Sequence, residues 1–350
     1  MRVGPSDMRR RVRRRRPAAL AVIVIVALVA GACAADPDGP SGPAGTALEG
    51  AASGPSSGTV PGTTAPTTIP TTTVPTAPAF GVLRTPAGVP VPLRGQRLED
   101  SGWVVGTPCG HEAVVPIGAI EPSVRVVIDP GHGGPETGTV SPRALWESQL
   151  NLDISQRIER LLLAQGVTVE LTRRTDEQVT LEARAELARA WAPELVVSVH
   201  HQGGHLWTGE DPGTIVFHQV DDPSSRRLAG LIYEDVTTAI KPLGLDFGVA
   251  TPPGAYAVRN SQGDDYYGIL RNLGDVPGVI VESMYLTNPD EGRALESAEV
   301  RQIEAQAITT AIVRYLSTQA SGTGFRPEMS FAPGSLADNL PATCADPPLL

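Results

Sequence analysis

Cysteine is scarce in this 350-residue chain: Cys33, Cys109 and Cys344 are all it has. That leaves room for one disulfide at most, so covalent stapling is not what builds the fold. Long apolar runs are missing too. The longest purely apolar stretch, "AALAVIVIVALVA" at 18–30, is about a dozen residues, short of the roughly 20 that a membrane helix needs. Positive charge is concentrated at the start, where residues 1–32 hold eight arginines against one aspartate. The formal net charge of −10 therefore conceals a remainder near −17. A body this acidic excludes nucleic acid as a partner. A phosphate loop is also lacking, because "GHGGPETG" (131–138) offers neither a GxGxxG pattern nor a Lys-Ser/Thr ending.

What is present begins with a basic run, an apolar core and small residues, the pattern of a secretory signal peptide over 1–33. "VAGAC" (29–33) resembles a bacterial lipobox, in which Cys33 would carry the lipid and tie the protein to the membrane. Plain cleavage after Ala32 or Ala34 is one alternative, and an uncleaved anchor reaching through Ala35 is another. All three readings place the rest of the chain outside the cytoplasm, in the cell envelope or secreted. If Cys33 is lipidated, two cysteines remain in an oxidising compartment, and Cys109–Cys344 is the expected disulfide. The alternative is two free buried thiols. Residues 34–80 are nearly all Pro, Gly, Ser, Thr and Ala, which cannot bury enough apolar surface to offset chain entropy, so a disordered linker is expected there.

Short β-type runs punctuated by Gly and Pro mark 81–121 as a small β-rich segment. From 122 to 318, apolar β-branched runs at 124–129, 167–171, 195–200, 214–218 and 278–282 alternate with amphipathic helices at 148–165, 180–192, 224–240 and 298–317. The last helix is expected to bury Ile303, Ala307, Ile308, Ile312 and Leu316. This alternation predicts an α/β domain, a single twisted, mostly parallel (mixed) sheet flanked by helices. The Pro/Gly-rich tail, 319–350, is expected to be irregular.

Ligands of open α/β sheets gather beyond the carboxyl ends of the strands. There the first strand of this domain ends at Asp129 and delivers His132, the third ends at His200, and the last ends at Glu282. Glu147 opens the helix after the first loop. Two histidines and one carboxylate, with one coordination position left for water, are what a catalytic zinc requires. A second, non-ligating carboxylate can then move the proton. Spacing alone does not say which carboxylate is which, and Glu136 competes with Glu147 for the metal. The remaining histidines, His111, His201, His205 and His218, read as surface or loop residues, with His201 alone near the site. "TRRTD" (172–176) and Arg184 read as a structural charge network.

"VVIDPGHGG", "WESQLNLDISQRIERLLLAQGVTVELTRRTDEQVTLEARAELA", "LVVSVHHQGG" and "GVIVESMYLTNPDE" occur in that order, and together they resemble the zinc-dependent N-acetylmuramoyl-L-alanine amidases of the Amidase_3 type. The resemblance runs from about 124 to 317. It implies Zn²⁺ on His132, Glu147 and His200, with Glu282 as the catalytic glutamate. It also implies a substrate-positioning role for Arg271 in "GILRN". The implied reaction is hydrolysis of the amide between N-acetylmuramic acid and L-alanine in peptidoglycan, and an activator protein is left open. One departure stands out. Members of that family follow the second histidine with a small residue and an asparagine, whereas His201 and Gln202 stand here. Both are therefore expected as substrate-binding residues, Gln202 through its amide and His201 as an imidazole lining the cleft. No long helix of the cleft-blocking kind is evident, so built-in autoinhibition is not expected. The rival readings are a zinc amidohydrolase acting on another amide and a non-catalytic wall-binding scaffold.

Overall fold

The computed structural model describes residues 81–96, 102–203, 213–245, 253–330 and 343–350. The described residues all belong to one unit of the chain, Thr71–Leu350. The expected signal peptide, Cys33, the linker and His205 lie outside the described residues. No helix among the described residues is long and apolar enough to cross a membrane.

The first part of the described chain is an antiparallel five-stranded sheet. Its strands are β1 (Val82–Arg84), β2 (Pro90–Gln96), β3 (Trp103–Gly106), β4 (Glu112–Val115) and β5 (Ala119–Glu121), in the order β4-β3-β2-β1-β5. It carries its own small core of Leu83, Val91, Val105 and Val115. Leu349, from the far end of the sequence, packs against that core. Cys109 and Cys344 are joined by a disulfide. Asp346 accepts from the Cys109 backbone N–H at 2.8 Å and meets His111 Nδ1 at 2.8 Å.

The second part alternates strand and helix: β6 (Val126–Pro130), α1 (Glu147–Ala164), β7 (Val169–Leu171), α2 (Leu181–Ala190), β8 (Leu195–Gln202), β9 (Ile215–His218) and α3 (Pro223–Ile240). It continues with β10 (Gly254–Arg259), α4 (Gly268–Asn272), β11 (Gly278–Tyr285), α5 (Pro289–Ala294), α6 (Ala298–Ser317) and β12 (Met329–Ser330). Helix starts follow local chemistry. The Thr180 hydroxyl accepts from the Ala183 N–H ahead of α2, and the Asp222 carboxylate caps α3 with Pro223 at its first position.

The seven strands run β12-β10-β9-β11-β8-β6-β7. All neighbours are parallel except β11 and β9, so the sheet is the mixed, mostly parallel one expected. Alternation along the strands sorts side chains onto two faces. Val126, Ile128, Val197, Val199, Val279 and Val281 face α1, α3 and α6, while Val127, Val196 and Ile280 face α2 and α4.

Two differences from the sequence reading have plain causes. On α6, Ile303 and Leu316 are only half-buried while Glu304 is fully buried, because the helix turns its 300–304–308–312 row to the sheet. The tail is not wholly irregular. Residues 329–330 pair in parallel with β10, and Phe325 packs over Gly230 of α3, where any side chain would collide with the ring.

Candidate active site

The site is assembled at the carboxyl edge by parity. Asp129, His200 and Glu282 fall on the same face of their strands, and His200 and Glu282 are register partners across β8 and β11. After β6, the chain must turn sharply past β8. A side chain at Gly131 would place its Cβ 2.1 Å from His200 Nε2, so only glycine lets the loop pass. His132 then adopts φ 61°, an unfavourable region for a non-glycine residue, costing about 1 kcal/mol. Its position is over-determined by its neighbours. Arg184 Nη2 donates to the His132 carbonyl at 2.6 Å, and Glu136 Oε1 lies 3.0 Å from His132 Nδ1.

Two buried arginines brace the rest of the loop. Arg173 donates to the carbonyls of Pro130, Gly131 and Ser148 at 2.8–2.9 Å, and Arg184 to those of Pro130 and Val179 at 2.7–2.8 Å. Asp129 neutralises Arg184 Nη1 at 2.8 Å and also accepts from the hydroxyls of Thr172 and Ser198. The structural charge network read from 172–176 and Arg184 thus grips the loop that carries His132.

Glu147, first residue of α1, reaches back to the loop. Its Oε1 lies 3.0 Å from His132 Nε2 and 3.1 Å from His200 Nδ1, while Oε2 accepts from the Thr139 N–H at 2.8 Å. Gly138, at φ 66°, makes room for it, since a Cβ there would sit 2.5 Å from Glu147 Oε2. The donor atoms of His132, Glu147 and His200 all lie within 4.8 Å of one another. Separations near 3 Å suit the edges of a tetrahedron around a zinc with bonds of about 2 Å. Of the two candidate carboxylates, Glu147 is the one whose oxygen lies within this group of donor atoms. Glu136 stands on the outer nitrogen of His132, where it orients the ring, and Glu147 faces the common centre.

The electrostatics fit a cation at that centre. Burial disfavours the imidazolium of His132, yet Glu147 and Glu136 outweigh it and push this histidine up to about 10. Burial likewise opposes ionisation of Glu147, and the His132 charge overcomes it, holding the carboxyl well below its ordinary range. His200 is lowered by burial against the pull of Glu147. Glu147, buried between the two imidazoles, favours a positive charge among these donors. Glu282 is pushed well above the usual carboxylate range, first by burial and then by Glu147. Its Oε2 is buried and has no hydrogen-bond partner among the described residues.

The other expected site residues sit as follows. Gln202 follows His200 on the same face of β8, mostly buried and in register with Tyr285. Arg271, in the last turn of α4, donates to the carbonyls of Asp265 and Tyr266 at 2.6 and 3.1 Å, so its guanidinium holds that loop. His201 requires correction. Its side chain is fully buried and does not line a cleft, because strand parity turns it to the opposite face from His200, toward α1 and α6. His218 is also buried rather than at the surface, with Nδ1 2.8 Å from the Gln219 carbonyl. Asn151 was not singled out from the sequence. It lies one helical turn after Glu147, and that spacing was the available signal.

Comparison with known proteins agrees with this geometry. The family described as N-acetylmuramoyl-L-alanine amidase, Amidase_3, matches residues 126–314, more than half of the chain. The uncharacterized protein YqiI of Bacillus subtilis is 31% identical over 192 residues, covering 54% of this chain and 84% of YqiI. The N-acetylmuramoyl-L-alanine amidase AmiA of Escherichia coli is 26% identical over 221 residues, covering 54% of this chain and 75% of AmiA. Among solved structures, Cwp6 from Clostridium difficile shares the fold at 24% identity, with a TM-score of 0.50 over 56% of this chain and 30% of Cwp6. With the four sequence blocks folded around one His-Glu-His centre, this chain belongs to the N-acetylmuramoyl-L-alanine amidase family of the Amidase_3 type.

Proposed function

We propose that the protein cleaves the amide between the lactyl group of N-acetylmuramic acid and the L-alanine of the stem peptide, outside the cytoplasm, at the cell wall. The observation that carries the reading is the convergence of His132, Glu147 and His200 on one point, with Glu282 beside His200 on the next strand. Zinc, when held by these three residues, supplies a Lewis acid that polarises the carbonyl and acidifies water. The chain's own groups do the rest. Glu136 keeps His132 Nε2 turned inward, and Glu147 Oε2 is anchored by the Thr139 N–H. Glu282, whose Oε2 has no hydrogen-bond partner among the described residues, would move the proton from the attacking water to the departing amide nitrogen. The Glu147 charge that helps to raise it would be offset by a cation held by His132, Glu147 and His200, which lets Glu282 ionise. Gln202, on the same face as His200, is placed to orient the substrate, and Arg271 supports the α4 approach indirectly through the loop at 265–266. Cys33 is the proposed lipid attachment point, tethering the enzyme to the membrane below its substrate.

The test is digestion of purified peptidoglycan by the zinc-loaded protein, scoring new L-alanine N-termini on released stems. Release is expected from the wild type and lost on Glu282→Gln. No new L-alanine termini from a zinc-loaded, folded wild type would overturn the proposal.

A further inference from the structure

The replacement of a small residue by His201 leaves a buried polar chain that the proposed reaction does not use. Asn151 Nδ2 donates to the Gly131 carbonyl at 3.3 Å and to Glu147 Oε1 at 3.4 Å. With both amide hydrogens so directed, Asn151 Oδ1 must accept, and His201 Nδ1 lies 2.8 Å from it. The far nitrogen, His201 Nε2, is 3.3 Å from each oxygen of Glu304, which stands fully buried on α6. The His201 backbone N–H also donates to Glu147 Oε1 at 3.2 Å. A continuous path, Glu304–His201–Asn151–Glu147, therefore joins the last helix to a metal-facing carboxylate.

Burying polar side chains away from water costs free energy unless each finds a hydrogen-bond partner. Apolar side chains would fill the same space at no such cost, and the surrounding row of α6 is otherwise Val300, Ile308 and Ile312. A carboxyl group in that row, fully buried and set against His201, calls for a role other than filling. We infer that Glu304 and His201 are positioning residues, which act through Asn151 to fix the rotamer of Glu147 and so set the affinity and geometry of the metal centre. The inference rests on His132, Glu147 and His200 being the metal ligands. Outer-shell partners of this type change metal affinity by about 10- to 100-fold when removed.

The experiment titrates the purified apoprotein with Zn²⁺ against a chromophoric chelator and records the visible absorption of its Co²⁺ form. The wild type, Glu304→Leu, Glu304→Gln and the double variant His201→Ala/Glu304→Ala are compared, with melting followed for each. Glu304→Leu and the double variant are expected to bind Zn²⁺ about 10-fold or more weakly and to shift the Co²⁺ bands. Glu304→Gln, which keeps a hydrogen-bonding group against His201, is expected to recover most of both. Should Glu304→Leu fail to fold, the double variant serves in its place, since removing both partners leaves neither polar side chain buried without the other. A folded variant with wild-type affinity and an unchanged Co²⁺ spectrum overturns the positioning role. A wild type that binds neither metal overturns the ligand assignment, and this inference with it.

Discussion

Asp129→Asn is expected to weaken both the fold and the metal loop, and the size of the effect can be worked out. Asp129 is 1% exposed and Arg184 2%, so neither charge is shared with water. Burial would raise the Asp129 carboxyl, but Arg184 and the hydroxyls of Thr172 and Ser198 outweigh it and bring it from 3.8 down to about 2. A folded-state value below the unfolded one contributes stability that is fully present above pH 4 or so and lost as pH falls toward 2. At about 1.4 kcal/mol per unit, that contribution is about 2 kcal/mol. Asparagine removes the charge beside a buried guanidinium and puts an amide N–H₂ in place of one of the two oxygens that accept from Thr172, Arg184 and Ser198, so the neutral-pH loss should be near 3 kcal/mol. For a domain of this size, it corresponds to a drop of roughly 6–12 °C in Tm. Urea unfolding from pH 2 to 7 measures both quantities. The variant should be less stable at pH 7 and should show a shallower acid limb than the wild type, what remains coming from other lowered carboxyls such as Glu147. A variant within about 0.5 kcal/mol of wild type at pH 7, or one with the limb intact, would show that Asp129 is not what holds Arg184.

Other outcomes are expected. Glu282→Gln should lower kcat by about 10²- to 10⁴-fold while zinc content, read by atomic absorption, stays at wild-type level; loss of the metal would assign Glu282 to the ligand set instead. His132→Ala should abolish stoichiometric zinc in the same measurement, and full occupancy would refute the ligand set. Glu291, pushed up to about 8 by burial against its backbone donors, keeps its proton in the folded state, so stability should fall as pH rises from about 4.5 to 8. Glu291→Gln should flatten that slope in thermal melts, and an unchanged slope would place its origin elsewhere. Cys344→Ser should cost about 2–4 kcal/mol in chemical unfolding, since it opens a loop whose ends are 235 residues apart; an unchanged midpoint would mean that the bridge adds nothing to the fold.

The parts of this protein that were legible in its sequence are those written in short-range periodicity. The runs at 195–200 and 278–282 carry β8 and β11, and their last residues, His200 and Glu282, meet at the rim because parallel strands end on one side. Glycine after 165 and threonine at 180 marked helix ends for local reasons. β10, "GAYAVR", was not foreseen: its alanines give little apolar contrast, and it is a strand because β9 and the tail flank it. Glu136 against Glu147 could not be decided from spacing, since the answer depends on which nitrogen of His132 each one reaches. His201 was misplaced for a related reason. Neighbouring residues on a strand point opposite ways, so adjacency to a ligand argued against the cleft, not for it. Glu304 left a faint signal, a charge in the apolar row of α6, whose partner lies 103 residues away.

The small sheet closes on residues made long after it. Leu349 enters its core, and Cys344 bonds to Cys109 across 235 residues of intervening chain. During synthesis β1 to β5 emerge first and must wait, short of one core side chain and with an unpaired thiol, while the whole catalytic domain is made. Closure of this clasp therefore comes only after the chain between Cys109 and Cys344 has been made. Trapping free Cys109 at intervals after synthesis would time that event.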